Sequence, residues 1–264
     1  MNKPGIIIFI VIIAAVAVWY FAFYNTSEDT DVSTNTSSTS TTTSSIGNDA
    51  NAIVYVECPL DDDDEWVYFG SGALIHTDGY FLTNDHIVNE TNEFYCNVGI
   101  IDNVSEFPEL TYYAEVVTAI DQFGEEVYLS NSSLDVAILQ IVDADTLLPT
   151  TFPTISKVGT SGTLMANDAL SIAGFPTYEN TPLAVTDSTF TGPSGSLLEL
   201  PVVIDEGTSG GAIFNSAGEF IGTPVWDEGG KYGENNYAVG VDWVITWLEN
   251  ENLDPADFFT PVLP

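Results

Sequence analysis

A chain of 264 residues has room for one two-part domain or two small ones, with ample length for a packed core. Three Lys, no Arg and 39 acidic residues give a formal net charge of -36, which repels nucleic acid and anionic lipid surfaces and so excludes a nucleic-acid function. An excess of carboxylates this large suits either a saline exterior, where salt screens the repulsion, or cationic substrates.

Residues 5–24, Gly5 to Tyr24, form an unbroken apolar run that is about 30 Å long as a helix, enough to cross a bilayer. Lys3 precedes it and the next cation is Lys157, so residues 1–4 are expected in the cytoplasm and the rest outside, with the run an uncleaved single-pass anchor. A cleaved signal peptide is the competing reading; the run exceeds a normal signal core and no small-x-small site follows it. Cys58 and Cys96, outside the cytoplasm, suggest one disulfide, with two separately buried thiols as the alternative. Sequons at Asn25, Asn35, Asn89, Asn103 and Asn131 would be used only by a host that glycosylates.

Residues 25–47 are Ser, Thr, Asn and Asp with almost nothing apolar, and read as a flexible linker. From 48 to 250 the pattern is short Val/Ile/Tyr/Phe-rich runs broken by Gly, Pro, Asn and Asp, which is all-β grammar. One set of six strands is expected at Ala52 to Cys58, Glu65 to Ile75, Tyr80 to Thr83, Glu93 to Ile101, Tyr112 to Ile120 and Asp135 to Val142. A second set follows at Ala169 to Ala173, Ala184 to Phe190, Leu198 to Ile204, Ala212 to Phe214, Phe220 to Val225 and Tyr237 to Val241. Six and six predict two barrels, at about 51–143 and 155–241, followed by a helix over 242–250 and a tail over 251–264. His76-Thr77-Asp78-Gly79 reads as a tight hairpin turn, with Asp-Gly supplying positive φ, and Asp61 to Asp64 as a solvated acidic run in preference to a cation site.

Chemistry concentrates in three places. Asp205-Glu206-Gly207-Thr208-Ser209-Gly210-Gly211 places a serine among glycines, where the N–H groups of Gly207 and Ser209 can share one small hole; read alone it is equally a Gly-rich turn between strands. With His76 in a turn, His86 is the remaining base, and imidazole is the side chain that can take the serine proton near neutral pH. Asp135 heads the apolar run Asp135 to Leu139, where a buried charge needs a partner; alone it is equally a strand-initiating residue. Taken together, the order His86, Asp135, Ser209 is the chymotrypsin-type triad order and differs from the subtilisin and α/β-hydrolase orders.

These stretches, together with Gly70 to Ile75, Asp78 to Val88, Ala173 to Pro176 and Gly218 to Gly222, resemble the trypsin-like serine peptidases, most closely their HtrA/Deg branch, over roughly residues 51 to 250. The resemblance implies two perpendicular six-stranded antiparallel β-barrels with the site in the cleft between them, a C-terminal helix, and the triad His86, Asp135 and Ser209. It also implies an oxyanion hole from the amides of Gly207 and Ser209, and neighbouring first and fourth strands that put Cys58 beside Cys96 in a disulfide. Digestive relatives carry Asp where this chain has Thr208, so activation by proteolytic release of an N-terminus is not expected. Asp85 departs from the branch and places a second carboxylate next to His86, able to raise its pKa unless it points away. No PDZ domain is expected. By the same resemblance Val203 sits at the base of the primary specificity pocket, with Val225, Trp226 and Asp227, and Tyr237, Ala238 and Val239, near its walls; without a carboxylate at the base, cleavage after small or medium apolar residues is expected. The expectation is thus an extracytoplasmic serine endopeptidase acting on polypeptides without metal or organic cofactor. A catalytically silent binding or chaperone-like module on the same fold is the alternative, and oligomeric state is left open.

Overall fold

A computed structural model of the chain describes residues 46–60, 67–89, 95–176, 181–225 and 236–260. The apolar run at 5–24, most of the 25–47 linker, Asp61 to Asp64 and Trp226 to Asp227 lie outside them. No helix among the described residues is long and apolar enough to cross a membrane.

The first half holds β1 (Ile53–Pro59), β2 (Val67–Leu74), β3 (Tyr80–Thr83), β4 (Cys96–Ile100), β5 (Leu110–Val116), β6 (Thr118–Ile120), β7 (Glu126–Tyr128), β8 (Ser130–Asn131) and β9 (Val136–Ala144). Their main sheet runs β3-β2-β1-β4-β5-β9, and β3 pairs in turn with β9 in the register Phe81↔Leu139, so six strands close into a barrel with β8 attached to β9. Period-two alternation sets the faces: Val54, Val56 and Cys58 are fully buried, while Tyr55 and Glu57 between them join through a 2.7 Å hydrogen bond from the phenol to the carboxylate. Burial, reinforced by that carboxylate, pushes the Tyr55 phenol well above its ordinary pKa.

The run expected as one strand from Tyr112 to Ile120 is broken at Val117. Its N–H donates to Ile138 C=O at 2.9 Å and its C=O accepts from Leu129 at 2.8 Å, so the chain leaves the barrel there and β6 pairs with β7 as a separate hairpin. The turn at His76 also differs in detail. Gly79 alone has positive φ (85°) and its N–H closes onto His76 C=O at 3.1 Å, the geometry of a turn followed by one left-handed glycine. Next to the last β1–β4 pair, Glu57↔Asn97, Cys58 and Cys96 form the disulfide, with Cα atoms 4.2 Å apart.

The second half holds β10 (Ala169–Gly174), β11 (Ala184–Thr189), β12 (Gly192–Ser194), β13 (Leu197–Leu200), β14 (Ala212–Asn215), β15 (Phe220–Val225) and β16 (Asn236–Gly240) in the order β11-β10-β14-β15-β16-β13-β12. Among the described residues no pairing joins β11 to β12 or β13, so the expected second closed barrel is an open, half-barrel sheet. Composition explains the seam: β11 exposes Thr186 and Asp187, and β12 is three residues long with Pro193, which has no N–H to donate.

The helix α1 (Val241–Asn250) buries Val241, Val244, Trp247 and Leu248 and ends where Asn252 turns left-handed (φ 60°). Its first-turn Asp242 accepts from Thr160 Oγ1 at 2.9 Å, Ser161 Oγ at 2.8 Å and Gly162 N–H at 2.6 Å, which ties it to the segment ahead of β10. The two halves share one core: Ala173, Phe175, Ala212 and Phe214 of the second pack in the same cluster as the first barrel's interior. A smaller cluster, including Leu170, Ile172, Leu198 and Ile213, lies within the second sheet itself.

Candidate active site

His86 is the centre of a one-turn 3-10 helix, Asp85–Ile87, that starts where β3 runs out. The turn is set by Ile87 N–H to Asn84 C=O at 3.3 Å and Val88 N–H to Asp85 C=O at 3.0 Å. Ile87 is buried, which leaves the imidazole between it and Asp85 at the surface, with 39% of its side chain exposed.

Asp135 precedes β9 and holds this segment twice. Its Oδ1 accepts the backbone N–H of His86 at 2.9 Å, and its two oxygens lie 3.1 Å and 2.9 Å from the ring Nδ1. Against a carboxylate, Nδ1 is the protonated nitrogen, so the lone pair sits on Nε2, the tautomer a general base needs. Asp135 itself is left-handed (φ 60°), a conformation unusual outside glycine and tolerated best by Asn and Asp. Two devices hold it there: Asn131 Oδ1 caps the preceding turn by accepting from the amides of Ser133 at 3.0 Å and Leu134 at 3.1 Å, and Asn84 Nδ2 donates to the Asp135 C=O at 2.8 Å.

Asp85 behaves as the sequence allowed but did not decide. Its buried carboxylate accepts from Ser130 Oγ and Asn89 Nδ2, while the carboxylate that bonds the imidazole is that of Asp135. Its charge, after burial, contributes to pushing the Tyr128 phenol upward.

The turn that carries Ser209 comes from the second half but docks on the first. Ser209 is 2% exposed, and its C=O accepts from the Ser71 N–H of β2 at 2.7 Å. Gly210 (φ 82°) donates to Pro224 C=O at 3.1 Å, and a Cβ there would run into the Ser71 carbonyl oxygen and Thr83 Oγ1, with Asn84 N at 3.2 Å. Only glycine lets the turn approach so closely the segment that carries His86. Ahead of Ser209, Thr208 N–H closes onto Asp205 C=O at 3.1 Å with Gly207 at φ 83°, a type II turn whose third position requires positive φ.

The residues expected around the specificity pocket are placed differently from one another. Val203 is 74% exposed and lies between the end of β13 at Leu200 and Ile204, whose N–H donates to Asn236 Oδ1 at 3.0 Å. Val225 and Ala238 are core residues at 3% and 0% exposure, Tyr237 is half-buried, and Trp226 lies outside the described residues. Ser71, Asn84 and Ser130 act here without having been singled out by the sequence. Of these only Ser71 carries a local signal, a small polar residue between two glycines inside a strand. Among the described residues no cluster of His, Cys, Asp or Glu is arranged to hold a metal ion.

Comparison with known proteins gives a family and a fold. A trypsin-like peptidase domain model matches residues 70–222, more than half of the chain. A relative from Pseudomonas savastanoi pv. phaseolicola, described as a "probable periplasmic serine endoprotease DegP-like", is 29% identical over 184 residues, which is 66% of this chain and 32% of that protein. A protein of the same description from Halomonas elongata is 30% identical over 183 residues, 66% of this chain and 33% of its own. The chain thus spans about a third of the length of these curated relatives. In fold it is similar to the crystal structure of a serine endoprotease from Yersinia pestis, with a TM-score of 0.57, 22% identity, and 79% of this chain and 65% of that one covered.

Proposed function

We propose, from the premise that this chain belongs to the trypsin-like peptidase domain family, that it is an extracytoplasmic serine endopeptidase working through Ser209, His86 and Asp135. The observation that carries the proposal is Asp135's double hold on His86, through the backbone N–H at 2.9 Å and the ring Nδ1 at 2.9 Å. Such a grip fixes both the position and the tautomer of the imidazole, and a purely structural histidine has no need of it.

In this mechanism Ser209 Oγ attacks the scissile carbonyl as His86 Nε2 takes its proton, and the Asp135 carboxylate stabilises the resulting imidazolium. Charge developing on the carbonyl oxygen is met by the N–H groups of Gly207 and Ser209. The tetrahedral adduct collapses as His86 returns the proton to the leaving amine, giving an acyl-enzyme. Water, deprotonated by the same imidazole, then releases the acid product and regenerates Ser209.

Substrates on this reading are polypeptides outside the cytoplasm, consistent with the periplasmic description of the relatives, cleaved after small or medium apolar residues. The acidic surface supports cationic or salt-screened partners; among the described residues the one Lys or Arg is Lys157, and its ammonium is paired with Glu219. Hydrolysis of a fluorogenic peptide library by wild type and by Ser209→Ala tests the proposal. Turnover by wild type alone, with small apolar P1 residues leading, is expected; equal rates for the two proteins would refute the triad, a basic P1 profile would refute the pocket assignment, and binding without turnover by either would support a silent binding module.

A further inference from the structure

We propose that Ser71 is a positioning residue for the oxyanion hole, holding both of its donor residues by their carbonyl groups. This rests on the reading of the Gly207 and Ser209 amides as the oxyanion donors. Ser71 lies in β2 at 0% exposure, and every polar group it has is spent on the two flanks of the site. Its N–H donates to Ser209 C=O at 2.7 Å and its Oγ donates to Gly207 C=O at 2.7 Å. The same Oγ accepts the Phe175 N–H at 2.8 Å, and its C=O accepts from Thr83 Oγ1 at 2.7 Å.

The strand ladder explains why Ser71 is free to do this. The β2–β3 pairing covers only Ala73↔Leu82 and Leu74↔Phe81, so β3 stops short and the outer edge of β2 at Ser71 faces the nucleophile turn. Gly70 beside it adds room, since a Cβ there would overlap the Ile87 side chain and lie 3.0 Å from Ser209 O. The Phe175 partner is itself braced, its ring stacking edge-on with Tyr55 at 5.9 Å and with Phe107 at 6.0 Å. Ser71 Oγ is therefore fixed by a donor that belongs to a packed aromatic cluster, and it transmits that fixity to Gly207.

On this reading the N–H of each donor residue faces the reacting carbonyl, and Ser71 holds the peptide that follows it in both residues, through the C=O of Gly207 and of Ser209. The 207–208 peptide is further held by Thr208 N–H on Asp205 C=O at 3.1 Å. Removing Oγ frees one end of that peptide and leaves the Phe175 N–H without its acceptor, so Gly207 is no longer registered against Ser209. Loss of one preorganised donor costs about 100- to 1000-fold in turnover, and a donor displaced but still present costs less, about 10- to 100-fold.

The test uses the full chain as wild type, Ser71→Ala and Ser71→Cys, assayed below each protein's melting midpoint. A peptide substrate reads kcat and KM, a peptide boronate reads affinity for a tetrahedral adduct, and the uncleaved product peptide reads ground-state binding. In Ser71→Ala, kcat and boronate affinity should fall together by about 10- to 100-fold while KM and product affinity change less than about twofold, with Ser71→Cys in between as a weaker hydrogen-bonding group. Unchanged kcat, or product affinity falling as far as boronate affinity, overturns the inference. So does a drop in the number of titratable sites with the remaining sites at wild-type boronate affinity, since that is loss of folded protein only. A wild type that neither turns over peptide nor binds boronate removes the proposed function itself, which this design separates from a failure of Ser71 alone.

Discussion

The barrel that carries His86 and the sheet that carries Ser209 differ in how each is held together. The first closes on itself through β3 and β9, is bridged by Cys58–Cys96, and fixes His86 from its own strands through Asp135, Asn84 and the Asp85–Ser130 contact. The second is open between β11 and β12, and its Ser209 turn takes its closest supports from the other half, from Ser71 and against Thr83. The difference teaches that the site's rigidity is borrowed: the half carrying Ser209 is shaped by the half carrying His86. Damage to the first barrel should therefore reach both functions, whereas damage at the open seam should spare the His86–Asp135 pair.

The largest expected effect probes the self-held side. Asp135→Asn keeps the shape but leaves an amide facing Nδ1, favouring the wrong tautomer, so kcat should fall by about 10,000-fold with a near-normal melting midpoint. A loss under about tenfold would show that His86 is held by something other than Asp135.

Next comes the docking of the turn on the first barrel. Gly210→Ala must find room for a methyl against the Ser71 carbonyl and Thr83 Oγ1 while keeping φ at 82°, and should cost about 4 kcal/mol of stability or shift the turn and abolish activity. Denaturant melts and peptide hydrolysis on the same samples read both outcomes; a variant normal in both would detach the turn from the barrel.

Reducing the disulfide, whose cysteines are 38 residues apart, should cost about 3 kcal/mol and lower the midpoint for unfolding of both halves together, because they share a core. Two separated transitions, only one of them sensitive to reductant, would break that coupling.

The smallest effect is electrostatic. Burial raises the Asp49 carboxyl above its ordinary 3.8, against the lowering effect of its bonds from Ser156. A raised carboxylate contributes stability that is fully present below 3.8 and lost as pH rises through the folded value above it. Asp49→Asn should flatten stability across that window and leave neutral-pH activity alone; an unchanged pH slope in thermal melts would dismiss this contribution.

Strand existence was legible because alternation in runs such as Val54-Tyr55-Val56-Glu57 depends on neighbouring residues only. The order His86, Asp135, Ser209 could be proposed as a triad from the sequence for the same reason that motifs can, since it needs no coordinates to be read. What escaped was set across long separations. Closure of a sheet depends on whether β11 and β12 meet, and no local pattern in either states that. The roles of Asn84 and Ser71 exist only once residues 51 and 136 positions away arrive beside them.

The central claim is that Ser209 is activated by a histidine held from the other half of the molecule. It is tested most directly by reacting the full chain with a fluorophosphonate and mapping the adduct by peptide mass. A single adduct on Ser209 is predicted in wild type, with labelling slowed by at least about 100-fold in both His86→Ala and Asp135→Asn. An adduct on another residue, or labelling of Ser209 at the same rate in all three proteins, would contradict it.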